Sequence, residues 1–356
     1  MKTLLRLIRN FILLSIPLLI IMGYTFIRPM SYMAVEYTMW QEEKDFVHAK
    51  AGAPSSERAG EKDPGNDKAG PAEGPERIHT LILGDSRAKS GILPAILGGG
   101  DGKGIYNMAI GGATAIEMYF ALENYLDCHQ APENAIIIFA PYHFCDIDNW
   151  QQTLYYNYLS LGEVLRVESD ALRLGENESI RYPGSIADLL SFRLRLPNKY
   201  LDAIYQAGLH GRAGENREKY DSVRRDRGYT EFGTEKGNDG LNYETHHSYF
   251  DYSPLILHYY DKLLSLCEDK GIHVIIEQSP INEASHAVMQ KAFVEGYQEF
   301  IQSVADQHPS FTVISEIPVY DNLYFGDNNH MNRSGAEIFS TALSKRYSDV
   351  IKPKAE

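Results

Sequence analysis

Cysteine is scarce in this chain. The three present, Cys128, Cys145 and Cys267, are an odd number without metal-ligand spacing, so neither a disulfide framework nor a structural zinc site is expected. Basic charge is also short. Lysines and arginines number 34 against 48 aspartates and glutamates, a formal net charge of −14, and phosphate binding needs a basic surface, so nucleic acid is not expected as a partner. Aromatic and large aliphatic residues vanish altogether from Ala49 to Glu76, where Ala, Gly, Pro, Ser, Glu, Lys and Asp dominate. Such a segment cannot bury a core, which predicts a disordered linker over 49–76. Its 28 residues would span about 30 Å on average as a flexible tether.

Long uncharged apolar runs are absent except at the start. Lys2, Arg6 and Arg9 precede Phe11–Ile27, 17 residues without a charge, at the lower end of the roughly 17–25 residues that span a bilayer. The positive flank predicts a cytoplasmic start and anchor over 1–29, with everything after Arg28 outside a bacterial inner membrane. A cleaved signal would export the chain equally. An uncleaved anchor is favoured, because no small-x-small cleavage site follows Met22 and Tyr24-Thr25-Phe26-Ile27 is bulky. The juxtamembrane segment 30–48 carries Met33, Met39, Trp40 and Phe46 among polar neighbours. Either a membrane-surface helix or a docked one fits that pattern.

What is present, from residue 77 to about 350, is a repeating alternation of apolar runs and helical patterns. Ile78–Leu83, Gly104–Ala109, Ala135–Ala140, Ile272–Glu277 and Phe311–Ile314 read as five strands, and helices are expected over Thr114–Asp127, Pro254–Lys270, Ala284–Asp306 and from Ser334 or Gly335 to Tyr347. Alternation of this kind predicts an α/β domain with a parallel sheet covered on both faces, in the flavodoxin-like order 2-1-3-4-5. Ligands in such sheets sit beyond the carboxyl ends of the strands. Residues 149–253 interrupt the alternation as a large insertion, helical or loop-like, with Gly211–Gly240 read as polar loop and the whole as a lid or substrate platform.

Two short blocks fall at strand ends. Leu81-Ile82-Leu83 stops at Gly84-Asp85-Ser86, which places a serine hydroxyl on the turn after a buried strand, beside unpaired backbone N–H groups. A serine needs a base and a group that orients the base. Asp327-Asn328-Asn329-His330, ahead of the helix start Asn332-Arg333-Ser334-Gly335, offers both, since an Asp three residues before a His can turn back onto one ring nitrogen.

The Gly84-Asp85-Ser86 block, with Asp327-x-x-His330 followed by Met-Asn-x-x-Gly-Ala, resembles the SGNH/GDSL hydrolase superfamily over residues 78 to about 348. The resemblance implies a three-layer fold, Ser86 as nucleophile, His330 as base, Asp327 as its orienting acid and no cofactor or metal. It also implies an oxyanion site formed by the N–H groups of Ser86 and of Gly112 or Gly111, after Asn107-x-Ala-x-Gly-Gly. The family's Gly-x-Asn-Asp block is replaced here by Pro141-Tyr142-His143-Phe144, so its asparagine donor is missing. Tyr142 and His143 are the candidates for that place or for substrate contact, but packing is the commoner role of an aromatic cluster at a strand end. This departure is similar to the membrane-anchored branch that includes alginate O-acetylation and teichoic-acid D-alanyl transfer proteins. That likeness implies an extracytoplasmic esterase or O-acyltransferase acting on a cell-envelope polysaccharide, with a multi-pass membrane acyltransferase as a donor partner. A non-catalytic carbohydrate-binding or scaffold protein on the same frame is the alternative.

Overall fold

A computed structural model describes residues 2–27, 33–49, 76–146, 150, 153, 158–175, 205–206 and 209–351. Its first half runs α1 (Lys2–Ile27), α2 (Thr38–Val47), β1 (Thr80–Gly84), α3 (Ser86–Gly91), α4 (Pro94–Leu97), β2 (Ile105–Asn107), α5 (Ala115–Cys128) and β3 (Asn134–Ile138). Within the insertion lie α6 (Leu161–Leu174) and α7 (Arg212–Arg225). The chain continues with α8 (Pro254–Asp269), β4 (His273–Ile276), β5 (Ile281–Asn282), α9 (Glu283–Val288), α10 (Lys291–Gln307), β6 (Thr312–Val313), β7 (Val319–Tyr320), α11 (Arg333–Arg346) and α12 (Ser348–Ile351).

Five strands form one parallel sheet in the order β2-β1-β3-β4-β6, which is 2-1-3-4-5 when its strands are counted along the chain. Period-two alternation splits their side chains between two cores. Leu81, Leu83, Ala135, Ile137, Val274 and Ile276 face α2, α5, α8 and α10, where they meet Trp40, Phe120, Tyr259 and Tyr297. Ile82, Ile136, Ile138 and Ile275 face α3, α4 and α11, where they meet Ala88, Leu97, Phe339 and Leu343. The result is the three-layer α/β arrangement expected from continuous apolar runs. Helix starts follow the sequence signals closely: Thr114 and Glu117 close a capping box on α5, and Asn332 caps α11.

Four features differ from the sequence expectations. Residues 212–225 form a helix rather than a loop. Its buried face is thin, only Asn216, Tyr220 and Val223, so apolar periodicity hardly registers. The single long helix expected over 284–306 is two, α9 and α10, because Met289 and Gln290 adopt extended backbone with no glycine or proline to announce it. A second, two-stranded parallel sheet pairs β5 with β7, each too short to read from pattern. Among the described residues, no helix is long and apolar enough to cross a membrane. The expected spanning helix is therefore not supported. α1 is helical, with Leu4, Phe11, Leu14 and Ile20 exposed, and its side chains from position 21 on lie outside the described residues. Outside them too lie nearly all of the 49–76 linker and residues 176–204 of the insertion.

α2 resolves the alternatives left open for segment 30–48. It docks on the domain, burying Met39, Trp40 and Val47 in the first core. Two acids go with them. Tyr106 donates to Glu42 at 2.6 Å and Tyr158 donates to Glu43 at 2.7 Å, while Lys89 of α3, fully buried, donates to the Asn107 carbonyl. Burial pushes the Glu43 carboxyl up to about 8 and the Lys89 ammonium down to about 8, each partly offset by the other's charge. Because α2 is part of the domain, segment 49–76 connects two docked elements, α2 and β1, and is not the tether that its composition suggests.

Losing Met39, Trp40 and Val47 removes roughly 1.5–3 kcal/mol of transfer energy each, from a stability on the order of 5–15 kcal/mol. A chain starting at residue 77 should therefore unfold at a much lower urea concentration than one starting at residue 33, or fail to fold. Equal urea midpoints for the two would show that α2 contributes nothing.

Candidate active site

The site forms where β1 and β3 end. Gly84 has a φ of +148°, and a Cβ on it would lie 1.8 Å from the Ile138 carbonyl oxygen of the neighbouring strand, so only glycine ends β1 this closely. Asp85 then caps α3, its Oδ1 accepting from the N–H of Arg87 at 2.8 Å. Ser86 is thereby fixed as the first residue of the helix.

His330 and Asp327 lie on the irregular segment between β7 and α11. Asp327 Oδ1 accepts from the N–H groups of Asn329 and His330, both at 2.7 Å, and the turn this makes brings His330 Nδ1 to 2.8 Å from Asp327 Oδ2. A carboxylate only accepts, so Nδ1 carries the proton and Nε2 is left as an acceptor. His330 Nε2 lies 2.8 Å from Ser86 Oγ, across a sequence separation of 244 residues. Burial alone would raise the pKa of Asp327. The bond and charge of His330, with the N–H groups of Asn329 and His330, outweigh it and hold the acid below the ordinary carboxylate range.

Gly111 and Gly112 follow β2 beside this corner, where Ile110 N–H donates to the Gly84 carbonyl at 3.1 Å. Tyr142 and His143 lie on the turn after β3, but both are enclosed. Tyr142 packs edge-on to Tyr243 and under the Arg87 guanidinium. His143, 1% exposed, donates from Nδ1 to Asp85 Oδ2 at 2.6 Å, and the Ala140 N–H donates to the same oxygen at 2.6 Å. Burial would raise the pKa of Asp85, yet the His143 ring, the Ala140 N–H and Arg87 outweigh it and lower it.

Several residues that sequence reasoning missed hold this geometry. Arg87 and Glu244, both buried, form an ion pair at 2.6 Å, and Arg87 also donates to Asn329 Oδ1 at 3.1 Å and to Ser279 at 3.3 Å. Phe232 stacks obliquely on His330 with ring centroids 4.9 Å apart. The end of the insertion straps the loop that carries the histidine: Glu235 N–H donates to Gly326 O, Asn238 N–H to Asn322 O, Tyr243 N–H to Asn329 Oδ1 and Asn242 Nδ2 to Asn328 O. Asp85 next to the serine was the only readable hint. Glu244 and Phe232 sit in a stretch with no motif.

Among the described residues, no group of three or more metal-ligating side chains comes together, and His247 of the His246-His247 pair lies 3.5 Å from Asp146. A cavity of about 510 Å³ opens between α2 and α7, lined by Tyr106, Tyr220, Arg224 and Arg227 among others, and none of Ser86, Asp327 and His330 lines it. No family model matches the chain, and no curated protein matches it in sequence. The chemistry has to come from the geometry.

Asp85→Ala would leave three buried donors unpaired, at about 1–3 kcal/mol each where no water replaces the acid. The expected loss is at least about 3 kcal/mol at pH 7. The sign of the pH effect follows from the lowered pKa: the stabilisation is full above the ordinary value of 3.8 and lost as pH falls through the folded one. Urea midpoints measured from pH 7 to pH 3 should fall less steeply below pH 4 for Asp85→Ala than for the parent; parallel curves would refute the assignment.

Proposed function

We propose that the chain is a serine-dependent ester hydrolase or O-acyltransferase of the SGNH type. The observation that carries this reading is the unbroken line from Ser86 Oγ through His330 to Asp327, with both links at 2.8 Å. His330 Nε2 takes the hydroxyl proton as Ser86 attacks an ester carbonyl, and Asp327 orients the imidazole and stabilises its charged form. The tetrahedral oxyanion is held by the N–H groups of Ser86 and Gly112. Collapse expels the alcohol, protonated by His330, and leaves an acyl-serine. Water, or a sugar hydroxyl in a transferase, then attacks the acyl group with His330 again as base.

The location and substrate class extend the same reading. α1 carries Lys2, Arg6 and Arg9 at its start and its described apolar side chains are exposed, a pattern that fits attachment to a bacterial inner membrane with the domain on its outer side, although over its described residues α1 falls short of a spanning helix. Only residues 28–32 separate α1 from the described start of the docked segment, at most about 3.5 Å each, so the site works close to the lipid. An acyl acceptor or donor there is a cell-envelope polysaccharide, and a multi-pass membrane acyltransferase is the partner that would deliver the acyl group from inside.

Ser86→Ala should reduce kcat on p-nitrophenyl acetate by about 10⁴-fold or more and abolish labelling by a fluorophosphonate. Asp327→Asn should cost about 10²–10⁴-fold. Unchanged hydrolysis in Ser86→Ala would leave a non-catalytic carbohydrate-binding role in its place. For the substrate class, O-acyl content of extracted surface polysaccharide should differ between the parent strain and one carrying His330→Ala, and identical content would refute an envelope glycan.

A further inference from the structure

α2 reaches the catalytic corner through one side chain. Trp40 is 1% exposed, and its indole Nε1–H donates to the Gly111 carbonyl oxygen at 3.1 Å, across a sequence separation of 71 residues. The indole is itself held edge-on by Tyr37 and Tyr158, with ring centroids 5.6 Å away in each case. A trans peptide is planar, so the Gly111 C=O and the Gly112 N–H belong to one rigid unit and point in opposite directions. Fixing the carbonyl fixes the N–H.

The glycine pair needs such a restraint. Gly112 has a φ of +73°, and two adjacent glycines can turn their shared peptide over at little steric cost. Gly111 has no room for a side chain: a Cβ there would lie 2.8 Å from Met39 Cε and 3.0 Å from the Phe232 ring, the same ring that packs on His330. One face of the peptide therefore belongs to α2, and the strand it continues is hydrogen-bonded to Gly84, two residues from Ser86.

We propose that Trp40 is a positioning residue for the oxyanion site, holding the Gly111–Gly112 peptide so that the Gly112 N–H faces the Ser86 side. The role rests on the serine-esterase reading above. It makes the helix nearest the anchor a working part of catalysis rather than a support.

The test uses the full chain with Trp40 replaced by β-(3-benzothienyl)alanine, which keeps the bicyclic shape and drops the N–H, alongside Trp40→Phe. Loss of one oxyanion donor costs about 10²–10³-fold in kcat, so a loosened donor should cost about 10–100-fold. That loss is expected per site titrated with fluorophosphonate, with KM for p-nitrophenyl acetate within about twofold and the urea midpoint of the analogue at the parent value. Parental kcat per titrated site in the analogue overturns the proposal. So does a loss of rate that disappears on titration, because the indole then serves folding alone. Ser86→Ala, run in parallel, separates the two ideas: retained hydrolysis there refutes the esterase, whereas its loss beside a fully active analogue refutes only the role of Trp40.

Discussion

Asp85 accepts hydrogen bonds from the N–H of Arg87, the N–H of Ala140 and Nδ1 of His143, and each bond closes a different boundary of the candidate site. The first starts α3 and so places Ser86. The second ties the end of β3 to the end of β1, and the third locks the turn on which Tyr142 packs. Three donors converge on one group, which suits a carboxylate, with acceptor sites on both oxygens, and does not suit an amide, whose NH₂ would confront one of them. Everything else at the site is measured from a serine that this carboxylate sets in place.

The other half of the site is held differently. The loop with Asp327 and His330 has little regular structure, and its rigidity is borrowed from residues 232–244 of the insertion, which run along it and exchange backbone and side-chain hydrogen bonds with it. The Arg87–Glu244 pair joins the two halves. Burying such a pair is costly, and its net contribution to stability is small, but removing either partner would strand the other charge. What it secures is geometry. A histidine base is effective only if it stays within hydrogen-bond reach of its hydroxyl, and preorganisation of that kind requires supporting residues that cannot relax.

The sequence disclosed the parts of this architecture that repeat or cluster locally. Continuous apolar runs marked β1 and β3, capping residues marked α5 and α11, and Gly84-Asp85-Ser86 with Asp327-x-x-His330 marked the two halves of the site, which the structure brings together. Local pattern failed where stability comes from partners far along the chain. α7 is a helix because Asn216 donates to the Met33 carbonyl and Tyr220 to Asp45, contacts that leave almost no apolar trace. α2 was undecided because half of its buried face is polar or charged, and Glu42 and Glu43 look like solvent residues until Tyr106 and Tyr158 are seen beside them. Glu244 pairs with an arginine 157 positions earlier, and no spacing rule encodes that.

The docking of α2 also changes what a break in the chain would mean. A cut anywhere between residues 50 and 75 severs the backbone between the two halves of a single core, yet Trp40, Met39 and Val47 stay buried against the sheet. The N-terminal piece, with α1 and α2, would remain bound to the rest as a subunit binds its partner. Proteolysis in that segment would not shed the half that carries the sheet. It would turn one polypeptide into a two-chain protein.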